Sequence, residues 1–570
     1  MSVESIRNSL MLTGGTSFLL GIVLTPLVIG LARSAGLVAR PRADRWSVRP
    51  TALMGGTAIF SAFAGSLALT GRPFPELLVP LAAGALIFLV GLVDDLRSLR
   101  PQHKLLAQVA AACILVAGGV HFGVNGGGAL AWLVTILFVV GITNALNLLD
   151  NMDGLAAGVA TVAALVIAAG AVLAGSGPTA VAAIALAGAT LSFLVFNFHP
   201  ARVFMGDCGS MFLGLMLAAL SIQASAAAGA AAAWAVLFPC VALAVPIFDT
   251  TFVTVMRKMH GRAISQGGCD HTSHRLVRLG LSEPQAVLLL CGVALLTGSM
   301  GVAAMRFREP LLLVVGALAA AWLLMLGRLL ARVEVYSAEE SAGRPAGAVV
   351  FAQRLHKKQT ATALADTLLA FAAAVLAVEA SGPGDLPAAR WQVAILVGGS
   401  AAGLALAGVY RGVWRHLSLA AFLRLMAGCA LGAIVSLAAG LAAGMAPGAA
   451  LTALNAGILL LLLSGSRGFY LMLSRLLPGP ERWVLVASPG LDGEGADALA
   501  RAARGLAGTP TGVLTLDVEA IPRSLNELER LLSETRPGAV LVASPLLRES
   551  VEEVCRRKGV QCFSPEEIHG

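Results

Sequence analysis

The chain has 570 residues, of which 57% are hydrophobic and 13% charged, and its formal net charge is +8. This composition excludes a soluble globular protein and a disordered chain, and it is typical of a protein with many membrane spans. In such proteins basic residues mainly set the orientation in the membrane, so we expect no nucleic-acid partner.

Apolar runs long enough to cross a bilayer follow one another along most of the chain. The first three begin at Met11, Thr51 and Leu78. Eight more come from 105–143, 154–201 and 208–248, each of which breaks in the middle, and from 285–305 and 310–327. Four further runs lie near 361–380, 391–410, 422–444 and 449–466. The sequence therefore predicts an all-α polytopic membrane protein with about fifteen transmembrane helices, eleven and then four.

Basic residues fall mainly on one side of these predicted spans. With the N-terminus outside, the first six inside loops contain twenty Lys and Arg residues, whereas the outside segments contain five. The positive-inside rule therefore places the ends of spans three and five, and the C-terminus, in the cytosol.

The composition changes near the C-terminus, from residue 477 onward. Strand-like runs at 483–488, 512–516 and 539–544 alternate with helix-like stretches, which predicts a small cytosolic α/β (Rossmann-like) domain. The glycine pattern G-x-G-x-x-G is absent after the first strand, so we assign no dinucleotide site. The predicted domains are 1–335, a linker at 336–358, a four-helix membrane region at 359–476, and the soluble domain at 477–570.

Acidic residues of the first half lie at the predicted cytosolic ends of spans rather than in mid-membrane. They are Asp94, Asp95, Asp150, Asp153, Asp207 and Asp249. Short connections would let these ends converge on one cleft, where the carboxylates need a cation to offset their repulsion. Mg²⁺ prefers oxygen ligands and commonly bridges carboxylates to phosphates, so we expect Mg²⁺, or Mn²⁺ in its place.

Two motifs indicate a polar, phosphate-containing ligand. Asn144, Asn147, Asp150 and Asp153 recur at every third residue, which places them on nearly one face of a helix and its end. Asp207 lies between two glycines where an apolar helix begins, and a helix N-terminus offers N–H donors to phosphate.

A third motif is the loop that contains Asp270, His271, His274, Arg275 and Arg278. Arg and His donors suit a diphosphate, which makes anion recognition the favoured interpretation. A charged surface loop and a metal site remain the alternatives, although no third soft ligand for zinc is nearby.

Residues 1 to about 332 resemble the polyprenyl-phosphate N-acetylhexosamine-1-phosphate transferases. The resemblance rests on six ordered motifs: 36–56, GLVDDLRSL (91–99) with Lys104 and Gln108, NALNLLDNMDGLAAG (144–158), FNFHPARVFMGDCGS (196–210), PIFDT (246–250) and DHTSHRL (270–276). It implies transfer of a sugar phosphate from a UDP-sugar to undecaprenyl phosphate, with release of UMP, in the bacterial inner membrane. It also implies the first membrane step of a cell-envelope glycan, and we expect a homodimer.

The same resemblance implies roles for individual residues. Asp207 resembles the Mg²⁺ ligand and Asp94 the base or nucleophile, with Asp95, Asn147 and Asp150 as close partners. Asp153 and Phe204 fall where the family binds uridine. Asn144 lies on the same polar helix face as Asn147, Asp150 and Asp153. Lys104, Asn197, His271, His274 and Arg275 fall where the family contacts phosphates or sugar. Direct attack by the lipid phosphate is favoured over a covalent intermediate, and Ser47, where many members have His, leaves the sugar open.

The second half resembles a different family. Residues 408–432, with Asp366, are similar to the membrane region of nucleotide-sugar dehydratase/epimerases of polysaccharide synthesis, and 477–570 to the small domain that follows it. We expect a regulatory module or a docking surface for a later glycan-assembly enzyme. Two alternatives to the transferase remain: a transporter or flippase for a lipid-linked sugar, and a protein whose C-terminal domain is primary while the spans only anchor it.

Overall fold

A computed structural model describes most of the two helical regions and part of the C-terminal region. The described residues are 3–39, 51–70, 74–123, 128–229, 232–260, 262–263, 268, 270–306, 309–331, 333, 335, 360–381, 386–410, 419–444, 448–476, 483–487, 510–515, 539–542, 548–558 and 561–563. The predicted linker at 336–358, Ser47 and most of the region 477–570 lie outside the described residues.

The first half is helical almost throughout, because its apolar runs must satisfy their backbone groups internally to cross a bilayer. Its helices are α1 (Val3–Ser34), α2 (Gly55–Leu69), α3 (Pro75–Arg97), α4 (Pro101–Ala117), α5 (Ala129–Leu149), α6 (Leu155–Leu173), α7 (Gly177–Asn197), α8 (Gly206–Ala227), α9 (Ala232–Ala242), α10 (Ala244–Met259), α11 (Thr272–Arg278), α12 (Glu283–Arg306) and α13 (Glu309–Leu330). Two short strands, β1 (Val38–Ala39) and β2 (Thr51–Ala52), pair antiparallel after α1.

The second half adds four more long helices. These are α14 (Thr360–Ser381), α15 (Leu386–Leu406), α16 (Leu419–Ala442) and α17 (Ala449–Leu476). Buried residues of α14, such as Leu369 and Ala373, share one core with Ala321 of α13 and Leu459 of α17. Within that core Arg467 of α17 donates to the fully buried Asp366 of α14 at 2.8 Å.

Twelve helices of the described chain are long and apolar enough to cross a membrane, so the protein is a polytopic membrane protein. A thirteenth candidate is the pair α9 and α10, which is bent by 79° at a short break. The other two predicted spans correspond to α2 and α4, which have only 15 and 17 residues. The total of fifteen spans therefore stays a prediction.

Helix α8 lies at the centre of the first half, and nearly all of its side chains are buried. It packs against α3, α5, α6 and α2. Glycine makes the approach of α3 possible, because a Cβ built on Gly91 would lie 2.5 Å from the Cα of Cys208. This packing fixes the start of α8, and with it Asp207, beside the end of α3.

The described part of the C-terminal region contains a parallel sheet. Strands β3 (Trp483–Ala487), β4 (Pro510–Thr515), β5 (Ala539–Val542) and β6 (Gln561–Phe563) lie in the order β4-β3-β5-β6, and one helix, α18 (Arg548–Lys558), precedes β6. The three predicted strands correspond to β3, β4 and β5, and β6 is additional. The Rossmann-like assignment stays a prediction.

Two compact units divide the chain. One comprises Met1–Val277 with Ser282–Leu471, and the other comprises Arg278–Leu281 with Met472–Gly570. Both helical regions thus belong to the first unit except for Arg278 of α11 and the last five residues of α17. The predicted boundaries at 335 and 358 stay a prediction.

Candidate active site

The centre of the candidate site is an ammonium group held between two carboxylates. Lys104 Nζ lies 3.0 Å from Asp94 Oδ2 and 2.8 Å from Asp207 Oδ2. Asp94 lies in the last turn of α3, Lys104 in the first turn of α4, and Asp207 in the first turn of α8. The three side chains are 11%, 25% and 27% exposed, so the group is partly accessible to a ligand. We call it the Asp94–Lys104–Asp207 group.

The turn between α3 and α4 brings Lys104 back to Asp94. Ser98 ends α3 with a left-handed backbone (φ 46°), and the Leu99 N–H donates to Asp94 Oδ1 at 2.5 Å. Pro101 then begins α4, where its missing N–H costs no helical hydrogen bond. This turn brings Lys104, which lies ten positions after Asp94, into contact with the Asp94 carboxylate.

Asp95, the neighbour of Asp94, accepts hydrogen bonds from the main chain of α8. Its Oδ1 and Oδ2 accept the backbone N–H groups of Asp207 and Cys208 at 2.8 and 3.1 Å. A carboxylate there caps the N-terminus of α8 and is favoured by the helix dipole. Gly206, the first residue of α8, precedes Asp207 and has a φ of 77°. A Cβ built on Gly206 would lie 2.6 Å from Asp95 Oδ2. The close approach explains why glycine precedes Asp207.

Amide side chains from α5 complete this group. Asn147 Nδ2 donates to Asp207 Oδ1 at 3.0 Å and to Ser210 Oγ at 2.9 Å. One turn earlier, Asn144 Nδ2 donates to Gln108 Oε1 of α4 at 2.6 Å. These bonds fix the Asp207 carboxylate and join α4, α5 and α8 around it.

Among the described residues, carboxylates outnumber cations around this group, because Asp95 lies beside Asp94, Lys104 and Asp207. Partial burial lowers the pKa of Lys104, but its contacts with Asp207 and Asp94 outweigh this effect and hold the pKa above its usual value. The ammonium therefore stays protonated, and the described carboxylates exceed it in number. Oxygen-only donors with this surplus fit Mg²⁺.

Two other predicted residues, Asn197 and Asp153, lie around the connections α5–α6 and α7–α8. Asn197 is buried, accepts from the Gly154 N–H at 3.1 Å and donates to the Val203 carbonyl at 2.9 Å, so it ties the two connections together. Asp153 Oδ2 accepts from the Ala201 N–H at 2.9 Å.

Phe204 joins the same connection to β2 through main-chain bonds. Its N–H donates to the Ala52 carbonyl at 2.8 Å, and its carbonyl accepts from the Gly55 N–H at 2.9 Å. Asp150 is the C-cap of α5, immediately before the Asp153 segment. The structure thus groups Asp150, Asp153 and Phe204 on the elements that flank α8, and their roles in substrate binding stay predictions.

The predicted anion-binding loop is mostly buried. His271 Nδ1 lies 2.8 Å from Asp249 Oδ2, and the Thr272 N–H and hydroxyl both donate to Asp249 Oδ1. Asp249 is therefore part of a buried group with this loop rather than of the Asp94–Lys104–Asp207 group. His274 is 3% exposed, with its Nδ1 3.4 Å from Ser273 Oγ.

Arg275 is fully buried and donates to main-chain carbonyls. Its Nη1 lies 3.2 Å from the Leu330 carbonyl and 2.7 Å from the Val333 carbonyl, at the end of α13. The guanidinium also lies 5.2 Å from the ring centroid of Phe252. These contacts anchor the loop, so a direct contact of Arg275 with substrate stays a prediction.

Several residues of this region were not predicted from the sequence. Ser273 donates to Asn151 Oδ1 at 2.8 Å, which joins the loop to the α5–α6 connection. Arg257 forms a buried two-point ion pair with Asp270 at 2.8 and 2.7 Å. His199 and Asn151 lie inside the quoted motifs FNFHPARVFMGDCGS and NALNLLDNMDGLAAG, which was a signal, whereas Arg257 belongs to none of the six motifs.

Comparison with known proteins points to one family. The sequence profile of glycosyl transferase family 4 matches residues 77–225. The chain is 34% identical over 284 residues to a "probable undecaprenyl-phosphate N-acetylglucosaminyl 1-phosphate transferase" of Bacillus subtilis (strain 168), covering 48% of this chain and 79% of that protein.

Two further relatives agree. A "decaprenyl-phosphate N-acetylglucosaminephosphotransferase" of Mycobacterium tuberculosis (strain ATCC 25618 / H37Rv) is 36% identical over 323 residues, covering 49% of this chain and 79% of that protein. A "phospho-N-acetylmuramoyl-pentapeptide-transferase" of Shouchella clausii (strain KSM-K16) is 36% identical over 244 residues, covering 36% of this chain and 72% of that protein.

Proposed function

Because the chain belongs to glycosyl transferase family 4, we propose that it transfers an N-acetylhexosamine 1-phosphate from a UDP-sugar to undecaprenyl phosphate. An oxygen of the lipid phosphate attacks the phosphorus that bears the sugar. The bond from that phosphorus to the oxygen of UMP breaks, and UMP leaves with the electron pair. The products are a lipid-linked sugar diphosphate and UMP.

The observation that carries the proposal is the position of Lys104 between Asp94 and Asp207. Two anionic phosphates must approach each other in this reaction, so catalysis depends on positioning and on neutralisation of charge. A cation between two carboxylates is what such a centre requires. Lys104 contacts a substrate phosphate, and Asp94 orients the attacking lipid phosphate or receives its proton.

Asp207 would hold Mg²⁺, with Asn147 fixing the orientation of the Asp207 carboxylate. When bound, the ion supplies Lewis-acid neutralisation of the phosphate charge. Asp95 acts indirectly, because it fixes the N-terminus of α8 and therefore Asp207. Asp153 and Phe204 take the uridine part of the donor.

The position of the group at helix ends supports an enzyme over a transporter. Asp94, Lys104 and Asp207 each lie within one turn of a helix end, and the chain on both sides of the turn at 98–100 is basic, with Arg97 and Arg100. A transport pathway places ionisable groups along the bilayer interior. We place this end, and the C-terminus, in the cytosol of a bacterial cell, where the lipid phosphate lies at headgroup level.

The test is UMP release by purified membranes that contain the chain. Release is expected from a UDP-N-acetylhexosamine only when undecaprenyl phosphate and Mg²⁺ are both present, and a screen of UDP-sugars identifies the donor. Release without the lipid, or lipid flipping without UMP release, contradicts the proposal.

Removal of residues 336–570 distinguishes the proposed transferase from the alternative in which the C-terminal domain carries the main activity and the spans only anchor it. We expect the remaining helices to keep transferase activity, because the six motifs lie before residue 277. Since α14 packs against α13, folding of the shortened chain is checked by gel filtration. Loss of UMP release by a folded shortened chain would make the C-terminal part essential to the reaction.

A further inference from the structure

Three side chains from separate segments converge outside the Asp94–Lys104–Asp207 group. Asp153 follows α5, His199 follows α7, and Glu283 begins α12. His199 Nδ1 lies 3.3 Å from Asp153 Oδ2 and 3.3 Å from Glu283 Oε2, and all three atoms lie within 4.8 Å of one another. We propose that Asp153, His199 and Glu283 bind one divalent transition-metal ion, with Zn²⁺ or Mn²⁺ as the fitting ions.

The distances between the donor atoms fit a metal shell better than hydrogen bonds. Ligands about 2.0–2.1 Å from a metal lie roughly 3.0–3.4 Å from each other in octahedral or tetrahedral geometry. Both separations from His199 Nδ1 have this length. A charge-assisted hydrogen bond is shorter, about 2.7–2.9 Å, and one Nδ1–H shared between both oxygens would form only a weaker three-centre bond.

The second observation is a buried oxygen whose hydrogen bonding is incomplete. Apart from the 3.3 Å contact with His199 Nδ1, which lacks hydrogen-bond geometry, Glu283 Oε2 has no hydrogen-bond partner among the described residues, and its side chain is only 13% exposed. A buried acceptor left unsatisfied costs about 1–3 kcal/mol, and more when it is charged. This oxygen faces His199 and Asp153, so a metal ion bound to all three would supply the missing interaction.

The supporting contacts hold two of the ligands in place. Asn197 links the connection that carries Asp153 to the connection that carries His199, through Gly154 and Val203. The Ala201 N–H donates to Asp153 Oδ2, which leaves a second lone pair on that oxygen for a metal. Outer contacts of this kind orient the ligands of protein metal sites. The site is therefore largely formed before an ion binds.

The ligand set selects the class of ion. One imidazole with two carboxylates favours Zn²⁺ or Mn²⁺ over Mg²⁺, which takes oxygen ligands. Two carboxylates with a neutral imidazole carry two negative charges, which a divalent ion balances. His199 is 39% exposed, so a water or a ligand can reach the ion from solvent. Among the described residues, His199 and the Ala201 N–H contact Asp153 at Oδ2, so an ion on Oδ2 and the uracil of the proposed donor on Oδ1 would share this carboxylate.

The experiment measures Zn²⁺ binding to the full chain, purified in detergent without a histidine tag and stripped with chelator. Calorimetric titration should show one tight Zn²⁺ per chain. His199→Gln and Glu283→Gln should each weaken it by about 10- to 100-fold, as removal of a ligand or its support does elsewhere. The matched controls His103→Gln and Glu76→Gln change exposed residues and should bind Zn²⁺ like the unaltered chain. Equal affinity in all four variants, or no bound Zn²⁺, overturns the proposal.

A second measurement uses only the unaltered chain, so its result does not depend on whether a variant folds. X-ray absorption at the zinc edge should report one imidazole nitrogen among oxygen ligands. A shell of oxygens alone would place the ion at the Asp94–Lys104–Asp207 group and overturn the assignment. Because both measurements follow zinc binding and not UMP release, they stand independently of the proposed reaction.

Discussion

The two helical regions each contain a group of charged side chains, and the groups differ in charge balance and in access. In the first region, Lys104 is shared by Asp94 and Asp207, whose side chains are 11% and 27% exposed. In the second region, Arg467 pairs with Asp366, and these side chains are 7% and 0% exposed. The first group has more carboxylates than cations among the described residues and is partly exposed, whereas the second contains a buried ion pair.

This difference separates the proposed reactive centre from a structural contact. In the proposed function, a substrate and a cation reach the first group, so its variants should change the rate of transfer. The second group lies in the core that joins α13, α14 and α17, so its variants should change stability. The variants below test this distinction, from the largest expected effect to the smallest.

Asp207→Asn and Asp94→Asn should have the largest effect. Each removes a charge that holds the cations around the reacting phosphates, and the loss of one such interaction costs about 10²- to 10³-fold in turnover or more. The readout is the rate of UMP release. Glu76→Gln, an exposed change in the first turn of the same helix α3, is the control. Full activity in either Asn variant would contradict the assignment.

Lys104→Gln should reduce transfer less. It removes a charged hydrogen-bond donor, which is worth about 1.5–3 kcal/mol, or roughly 10- to 150-fold in rate. Lys104→Arg keeps the charge and should retain more activity. Lys258→Gln, at an exposed position in the last turn of α10, should leave the rate unchanged. A Gln variant as active as the unaltered chain would show that Lys104 does not act on the phosphates.

Asp366→Ala should affect stability while sparing the chemistry. It leaves Arg467 buried without its ion-pair partner, and breaking a buried pair costs about 3–5 kcal/mol in the free energy of unfolding. The measurement is the denaturation midpoint in detergent, with Glu379→Gln on the same helix as the control. The double variant Asp366→Leu with Arg467→Met should recover stability. A large loss of transfer per folded molecule would contradict the structural role.

Of the variants described here, Gly91→Ala should have the smallest effect. It tests the packing between α3 and α8 that positions Asp207. The added Cβ would lie 2.5 Å from the Cα of Cys208 and 2.7 Å from the Asp207 carbonyl. Overpacking of this kind costs about 1–3 kcal/mol in the free energy of unfolding. Gly141→Ala, where a Cβ meets nothing within 4 Å, is the control. Equal midpoints for the two variants would mean that α3 and α8 do not pack this closely.

Much of this architecture could be predicted from the sequence because hydropathy fixes where spans begin and end. The same reasoning brings together Asp94 and Asp207, since the residues lie at helix ends on the basic side. The sequence does not show that Lys104 lies between them, because that depends on the tight turn at Ser98.

Other contacts depend on packing between distant segments. Arg275 in a histidine-containing loop suggests an anion ligand, yet its guanidinium donates to carbonyls at Leu330 and Val333. Glu283 lies far along the chain from Asp153 and belongs to no motif. Only the packing of α12 brings it to His199.

The most direct test follows the phosphorus atom that the proposed reaction transfers. A UDP-N-acetylhexosamine labelled with ³²P at the phosphate next to the sugar is added to the purified chain with undecaprenyl phosphate and Mg²⁺. The label is predicted to move into the lipid fraction with unlabelled UMP released, and to stay in the aqueous fraction with Asp207→Asn. Label that remains in the nucleotide, or that reaches the lipid equally well with Asp207→Asn, would contradict the account.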